Sequence, residues 1–140
     1  MNMHIKKLHP DAIIPAYGHA DDAGFDLCAI ETVTIAPGER ATVGAGFAIA
    51  IPEGYVGLVW DKSSVSHKLG LKTMGGVFDA GYRGEINTCL YNTGDEPVAI
   101  EKGQKMAQML IQKVEHVTFE EVAELDETPR GDGRFGSTGK

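Results

Sequence analysis

Long hydrophobic runs are missing from this chain, as are paired cysteines, clustered histidines and any excess of positive charge. No stretch approaches the apolar length that crosses a bilayer as a helix, and the opening Met-Asn-Met-His-Ile-Lys-Lys has no apolar core of signal-peptide length. A membrane span and a secretory leader are therefore not expected, and the expected location is the cytoplasm. The two cysteines, Cys28 and Cys89, stand apart in apolar, strand-like surroundings and read as buried reduced thiols rather than a disulfide. The five histidines are scattered without an i, i+4 pair or neighbouring ligands, which argues against zinc held by the protein. The formal net charge of -7 leaves no general attraction for nucleic acid or an anionic membrane, so a phosphate-bearing ligand would depend on local basic groups.

Helical patterning is scarce too, confined to residues 64–69, ended by Gly70, and to residues 119–125. Elsewhere 18 glycines separate short apolar runs, the rhythm of an all-β sandwich or barrel. Strands are expected over residues 32–35, 41–43, 47–51, 56–60, 86–91, 98–100 and 105–114. Pro37-Gly38, Pro52-Glu53-Gly54 and Asn92-Thr93-Gly94-Asp95 are the turns between them. At 140 residues, 42% hydrophobic and 24% charged, the chain suits one globular domain. Beyond the acidic patch of Glu120, Glu121, Glu124, Asp126 and Glu127, residues 128–140 hold too few apolar groups to pack and read as a flexible C-terminal arm of the 1–127 domain.

Five windows carry groups that demand a chemical explanation. In residues 75–85, Gly-Gly-Val-Phe-Asp-Ala-Gly-Tyr-Arg-Gly-Glu, Asp79 follows Val77 and Phe78, which read as a short buried strand. A carboxylate there is partly desolvated, which raises its pKa above that of a surface Asp and suits a general base. Gly75, Gly76, Gly81 and Gly84 let backbone amides approach a flat ligand, and Tyr82 offers a ring for a sugar or base. The same window fits a β-hairpin whose Asp caps its own turn. Asp26 is a second acid in a glycine-flanked apolar strand, Ala23-Gly24-Phe25-Asp26-Leu27-Cys28-Ala29, open to a turn role or a metal-linked one. Asp61-Lys62-Ser63-Ser64 opens the short helix with a cation, hydroxyls and amides, which suits an anion and equally a serine N-cap. Gln108 stands among apolar neighbours and needs a partner, backbone or ligand. In the arm, Arg130 and Arg134 can fork onto phosphate oxygens, glycine amides can donate to them, and Phe135 can stack on a ring. Gly139-Lys140 does not complete a P-loop, because Arg134 stands where that motif's first glycine belongs.

Taken together in order, these windows resemble the motifs of the trimeric dUTP pyrophosphatases (dUTPases), ending in Arg-Gly-x-Gly-x-Phe-Gly-Ser-Thr-Gly, and the likeness runs from about Ile5 to Lys140. The resemblance implies a distorted jelly-roll or β-clip subunit, a homotrimer, and active sites at subunit interfaces closed by the C-terminal arms. It implies hydrolysis of dUTP to dUMP and pyrophosphate, with Asp79 orienting and deprotonating the water that attacks the α-phosphorus in line. Tyr82 would lie against the deoxyribose and leave no room for a 2′-hydroxyl. Backbone around Gly76, Val77 and Asn87 would read the uracil edge, where cytosine's reversed donor and acceptor leave buried groups unpaired. Lys62, Ser63, Ser64 and Gln108 become phosphate contacts, and Arg130, Phe135, Gly136 and Ser137 become a lid over uracil and γ-phosphate. Mg2+ would be chelated mainly by the triphosphate and touched by Asp26 through water.

The chain departs from the family pattern in places. Lys62-Ser63-Ser64 stands where the family usually has Arg-Ser-Gly, which replaces a bidentate fork with a point charge and adds a hydroxyl. Asp61 adds an acid beside that site, and Arg134 occupies a usual glycine. The related dCTP deaminases carry Arg-Ser-Ser, closer to this form, but their proton-shuttling glutamate falls at Cys89, whose thiol is a poor substitute. Deamination of dCTP, and a nucleotide-gated interaction protein without turnover, are the alternatives to dUTP hydrolysis.

Overall fold

The structure, a computed structural model, describes residues 1–134 and 136. Apolar side chains alternate with polar ones in runs of only a few residues, so the chain forms many short strands joined by tight turns. They pair antiparallel in four ladders. The largest runs in the order β2 (Phe25–Cys28), β11 (Lys105–Lys113), β6 (Tyr55–Asp61) and β8 (Val77–Phe78). A second sets β9 (Asn87–Asn92) between β4 (Arg40–Gly44) and β7 (Leu71–Met74). Two pairs complete the body: β1 (His4–Lys7) with β5 (Phe47–Ala50), and β3 (Val33–Ile35) with β10 (Val98–Ile100). The helix α1 (Ser63–Leu69) links β6 to β7, and Gly70, in the left-handed conformation at φ 66°, turns its amide back onto the Ser66 carbonyl to end it.

All four ladders send side chains into one core. Phe47, Leu27, Ile35, Val43, Leu71, Leu90, Ile100 and Met109 are fully or almost fully buried there. Thr73, Thr88 and Asn92 are the buried polar residues among those described, and the Asn92 amide donates to the carbonyls of Ile35 and Glu96 while its oxygen accepts the Gly94 amide. The body is an all-β, distorted jelly roll of separate ladders rather than a closed barrel.

Each strand expected from the sequence is present, with ends displaced by a residue or so. Leu71–Met74 was not expected, because four alternating residues directly after a helix give too short a pattern to stand out. The helix expected over 119–125 does not form; Phe119 is 91% and Leu125 85% exposed, and so short a segment does not hold helical shape without packing. Cys28 and Cys89 are free thiols but half-buried rather than buried. Among the described residues no helix is long and apolar enough to cross a membrane.

Candidate active site

The corner where β6 enters α1 is built by strand register. Gln108 on the central strand β11 faces Asp26 on β2 and Trp60 on β6, so the three side chains form one row across a sheet face. Both oxygens of Asp26 are engaged: Lys62 Nζ donates to Oδ1 at 2.6 Å and Lys105 Nζ to Oδ2 at 2.7 Å. Burial pushes the Asp26 carboxyl up, but the hydrogen bonds and charges of Lys105 and Lys62 outweigh it and hold the pKa below its ordinary 3.8. Two ammonium groups on one carboxylate leave a local positive charge on an acidic protein. Lys62 is the N-cap of α1, and no side chain caps the helix, so the serine-cap reading does not hold; Ser63 and Ser64 are exposed beside it.

Gln108 finds its partner in backbone: its Nε2 donates to the Asp61 carbonyl at 3.0 Å. The Asp61 side chain turns away from the row. Its Oδ1 accepts the Thr73 amide at 2.7 Å and the Thr73 hydroxyl at 2.9 Å, and its Oδ2 accepts Lys72 Nζ at 2.7 Å. Here too burial raises the carboxyl, and the Lys72 and Thr73 bonds outweigh it, so the pKa lies below 3.8.

The second set of groups sits on Gly76, just before β8, and on the loop from β8 to β9; β8 pairs with β6 and β9 with β4 and β7, so this segment is a loop between two sheets and not the β-hairpin that the sequence allowed. The carbonyl of Gly76, a residue at φ 96°, accepts the Val59 amide at 2.8 Å, and a Cβ there would lie 2.8 Å from the Val59 carbonyl oxygen, so only glycine fits. Asp79 then opens a turn closed by the Tyr82 amide donating to its carbonyl at 3.0 Å. The Tyr82 ring meets Phe78 edge-on at 5.7 Å, and its hydroxyl donates to the Glu85 carbonyl at 3.2 Å. At the end of this loop Glu85 Oε1 accepts the Gly46 amide at 2.8 Å, and Asn87, the first residue of β9, donates Nδ2 to the Glu85 carbonyl at 3.3 Å.

Two expectations are corrected here. Val77 is 67% exposed rather than buried, and Asp79 is exposed, so the described residues do not supply the desolvation expected at that carboxylate. The reason is topological: β8 is a two-residue strand at the sheet edge, paired only with β6.

Among the described residues no hydrogen bond or ion pair joins the loop to the Asp26 corner. They are linked through β6, which pairs with β11 on one edge and β8 on the other. Leu110, Leu58 and Val77 lie opposite one another along that register, one step from the row of Asp26, Gln108 and Trp60 on the same face. The arm bonds to itself, with Gly131 and Gly133 amides on the carbonyls of Thr128 and Arg130, and Arg130 Nε on the Gly133 carbonyl at 3.2 Å. Gly136 is in the left-handed region at φ 84°, while Phe135 and Ser137 lie outside the described residues.

The sequence profile of the dUTPase family matches residues 10–139. The chain belongs to the dUTPase family. A deoxyuridine 5'-triphosphate nucleotidohydrolase of Corynebacterium glutamicum is 50% identical to it over 139 residues, covering 97% of this chain and 93% of that one. Among solved structures, a mutant Staphylococcus bacteriophage 80alpha dUTPase with dUpNHpp aligns with a TM-score of 0.92 at 31% identity over 99% of both chains. A mutant dUTPase of S. aureus phage phi11, described with a structural Mg(II) ion, aligns at 0.86 and 28% identity over 91% of this chain and 100% of that one.

Within this dUTPase-family chain, sequence reasoning missed Lys105 as the second cation on Asp26, and it missed Glu85 as the anchor at the end of the β8–β9 loop. Neither carried a local signal. Lys105 meets Asp26 only because β11 lies against β2, with a register shift between Lys105 and Ala107, and nothing in either window specifies that.

Proposed function

We propose that this protein hydrolyses dUTP to dUMP and pyrophosphate by in-line attack of water on the α-phosphorus. The observation that carries the reading is one sheet with a positively charged, polar row on one side of β6 and, on the other, the glycine-rich loop after β8 bearing an exposed Asp79, in a chain that matches dUTP nucleotidohydrolases over nearly its whole length. Asp79 orients and deprotonates the water, a role that typically contributes about 10²–10⁴-fold in rate. Tyr82, braced by Phe78 and by the Glu85 carbonyl, offers its ring to the deoxyribose. Backbone at Gly76 and Val77, with Asn87, reads the uracil edge, and cytosine there would leave buried groups unpaired at about 1–3 kcal/mol each. Lys62, Ser63, Ser64 and Gln108 contact the phosphates, and Arg130, Phe135, Gly136 and Ser137 close over the nucleotide.

The exposed groups support a homotrimer with its sites between subunits. Val77 and Tyr82 beside Asp79, and Val117, Phe119, Val122 and Leu125 after the last strand, leave between 42% and 91% of their surface open among the described residues. A neighbouring subunit over this loop would supply the water exclusion that the described residues do not give Asp79.

The donor set fits magnesium carried by the nucleotide rather than caged by the protein. Among the described residues no three His, Cys, Asp or Glu side chains gather to hold an ion, and Asp26 offers a single carboxylate whose oxygens accept two lysines. Asp26 would reach the ion through water, with Lys62 moving toward the phosphates. When bound, magnesium offsets the negative charge of the triphosphate oxygens.

Incubation with each dNTP and magnesium, following pyrophosphate and ammonia together, tests the proposal. Pyrophosphate from dUTP alone is the expected result. Ammonia from dCTP would replace it with deamination, and dUTP binding without either product would leave a nucleotide-gated interaction protein.

A further inference from the structure

We infer that Asp61 is a positioning residue for the triphosphate side of the site, fastening two sheets together at the point where both phosphate-facing groups are anchored. The inference rests on the reading of Lys62 and Gln108 as phosphate contacts. β7 pairs with β9 along one edge only, and at Thr73 the amide points out of that pair. The Asp61 carboxylate takes the place of a missing strand: Oδ1 accepts both the Thr73 amide and its hydroxyl, so the four-stranded sheet is tied to the three-stranded one by a side chain. Thr73 is 9% exposed, and without Asp61 two of its polar groups would lose their acceptor in a nearly dry place.

The same residue sets both substrate-facing groups. Its main-chain carbonyl accepts Gln108 Nε2, which fixes how that amide is presented, and its peptide bond leads directly into Lys62. Asp79 stands on the loop after β8, and although β7 runs through Gly75 and Gly76 into β8, that segment is fastened separately to the other edge of β6 by the Val59 amide on the Gly76 carbonyl and by the Gly57–Phe78 and Leu58–Val77 pairs. Loosening the Asp61 corner therefore displaces phosphate contacts and leaves the base in place, a split that a general loss of stability does not produce. Lys72 contributes least to the clamp, because its side chain is 54% exposed.

The test compares KM and kcat for dUTP, by pyrophosphate release at a temperature where every variant is folded. Asp61→Ala is expected to raise KM roughly five- to tenfold with kcat within about twofold, the size expected from losing one positioned hydrogen-bond set. Asp61→Asn, whose amide oxygen can still accept from Thr73, is expected to recover most of that KM. Should Asp61→Ala not fold, Thr73→Val, which keeps the amide and removes the hydroxyl, carries the test with a smaller rise in KM. An unchanged KM in these variants while Gln108→Ala raises it would overturn the inference alone. An unchanged KM in Gln108→Ala as well would remove the phosphate reading and the inference together. A fall in kcat equal to the rise in KM would make Asp61 a general structural residue and end the positioning role.

Discussion

Asp26 and Asp79 are carboxylates on opposite edges of one four-stranded sheet, placed there by two different kinds of local structure. Asp26 lies within a strand, is 14% exposed, and gives both oxygens to lysines of its own chain. Asp79 lies on a turn, is exposed, and is held by backbone and glycine geometry that leaves its side chain for something outside the chain. The first arrangement sets charge and holds strands together. The second leaves a carboxylate open on a turn, where the proposed mechanism places the base. One carboxylate is enclosed by its own chain's cations and the other is open, and substitutions should separate what each contributes.

The largest effect is expected at the loop after β8. Asp79→Asn should lower kcat by about 10²–10⁴-fold with dUTP affinity kept within a few-fold, measured by pyrophosphate release and equilibrium binding. Near-normal turnover would strip the exposed edge of its chemical role and dissolve the contrast. Gly76→Ala strikes the backbone leading to the group rather than the group itself. A side chain at φ 96°, facing the Val59 carbonyl, should cost about 1–3 kcal/mol in denaturant unfolding and lower kcat/KM together with stability. Full stability in that variant would mean that β8 and its loop are not held by this glycine.

At the two lysine-paired carboxylates the expected signature is acid sensitivity. Asp26 and Asp61 have folded pKa values below 3.8, so the unfolded chain takes up these protons first as the pH falls. Their contribution is complete above about pH 4 to 5 and is lost as the pH falls through the folded values. Unfolding midpoints should therefore drop steeply below about pH 4, and Asp26→Asn should flatten that limb while lowering stability at neutral pH. A limb unchanged by Asp26→Asn would show that the lysine clamp adds nothing. The smallest effect is expected from Tyr82→Phe, which removes one exposed hydrogen bond worth about 0.5–1.5 kcal/mol and keeps the ring. Discrimination of dUTP against UTP should persist; its loss would move sugar selection from the ring to the hydroxyl.

Much of this site was legible before any fold was known. The glycines at 76 and 84, the acid between them and the ring of Tyr82 are neighbours in sequence, and a turn is a local structure. Gly70 ended the helix where expected, for the same reason. Lys62 was legible as a cation near a helix start, but its partner was not, because Asp26 reaches it across two strand pairings. Asp61 read as an acid intruding on the phosphate site and proved to face the other sheet. The exposure of Val77 went unread because an apolar pair in an apolar run carries no mark of being at an edge.

What the sequence determined by itself was the set of short strands, the turns that glycine and proline permit, and the order of the windows that match the dUTPase family, all of which depend on residues close in the chain. Which cation meets which acid, which carboxylate is enclosed and which is left open were decided only in the tertiary structure. Those outcomes depend on the register between strands far apart in sequence, and on which strand ends up at an edge, and no local pattern encodes either.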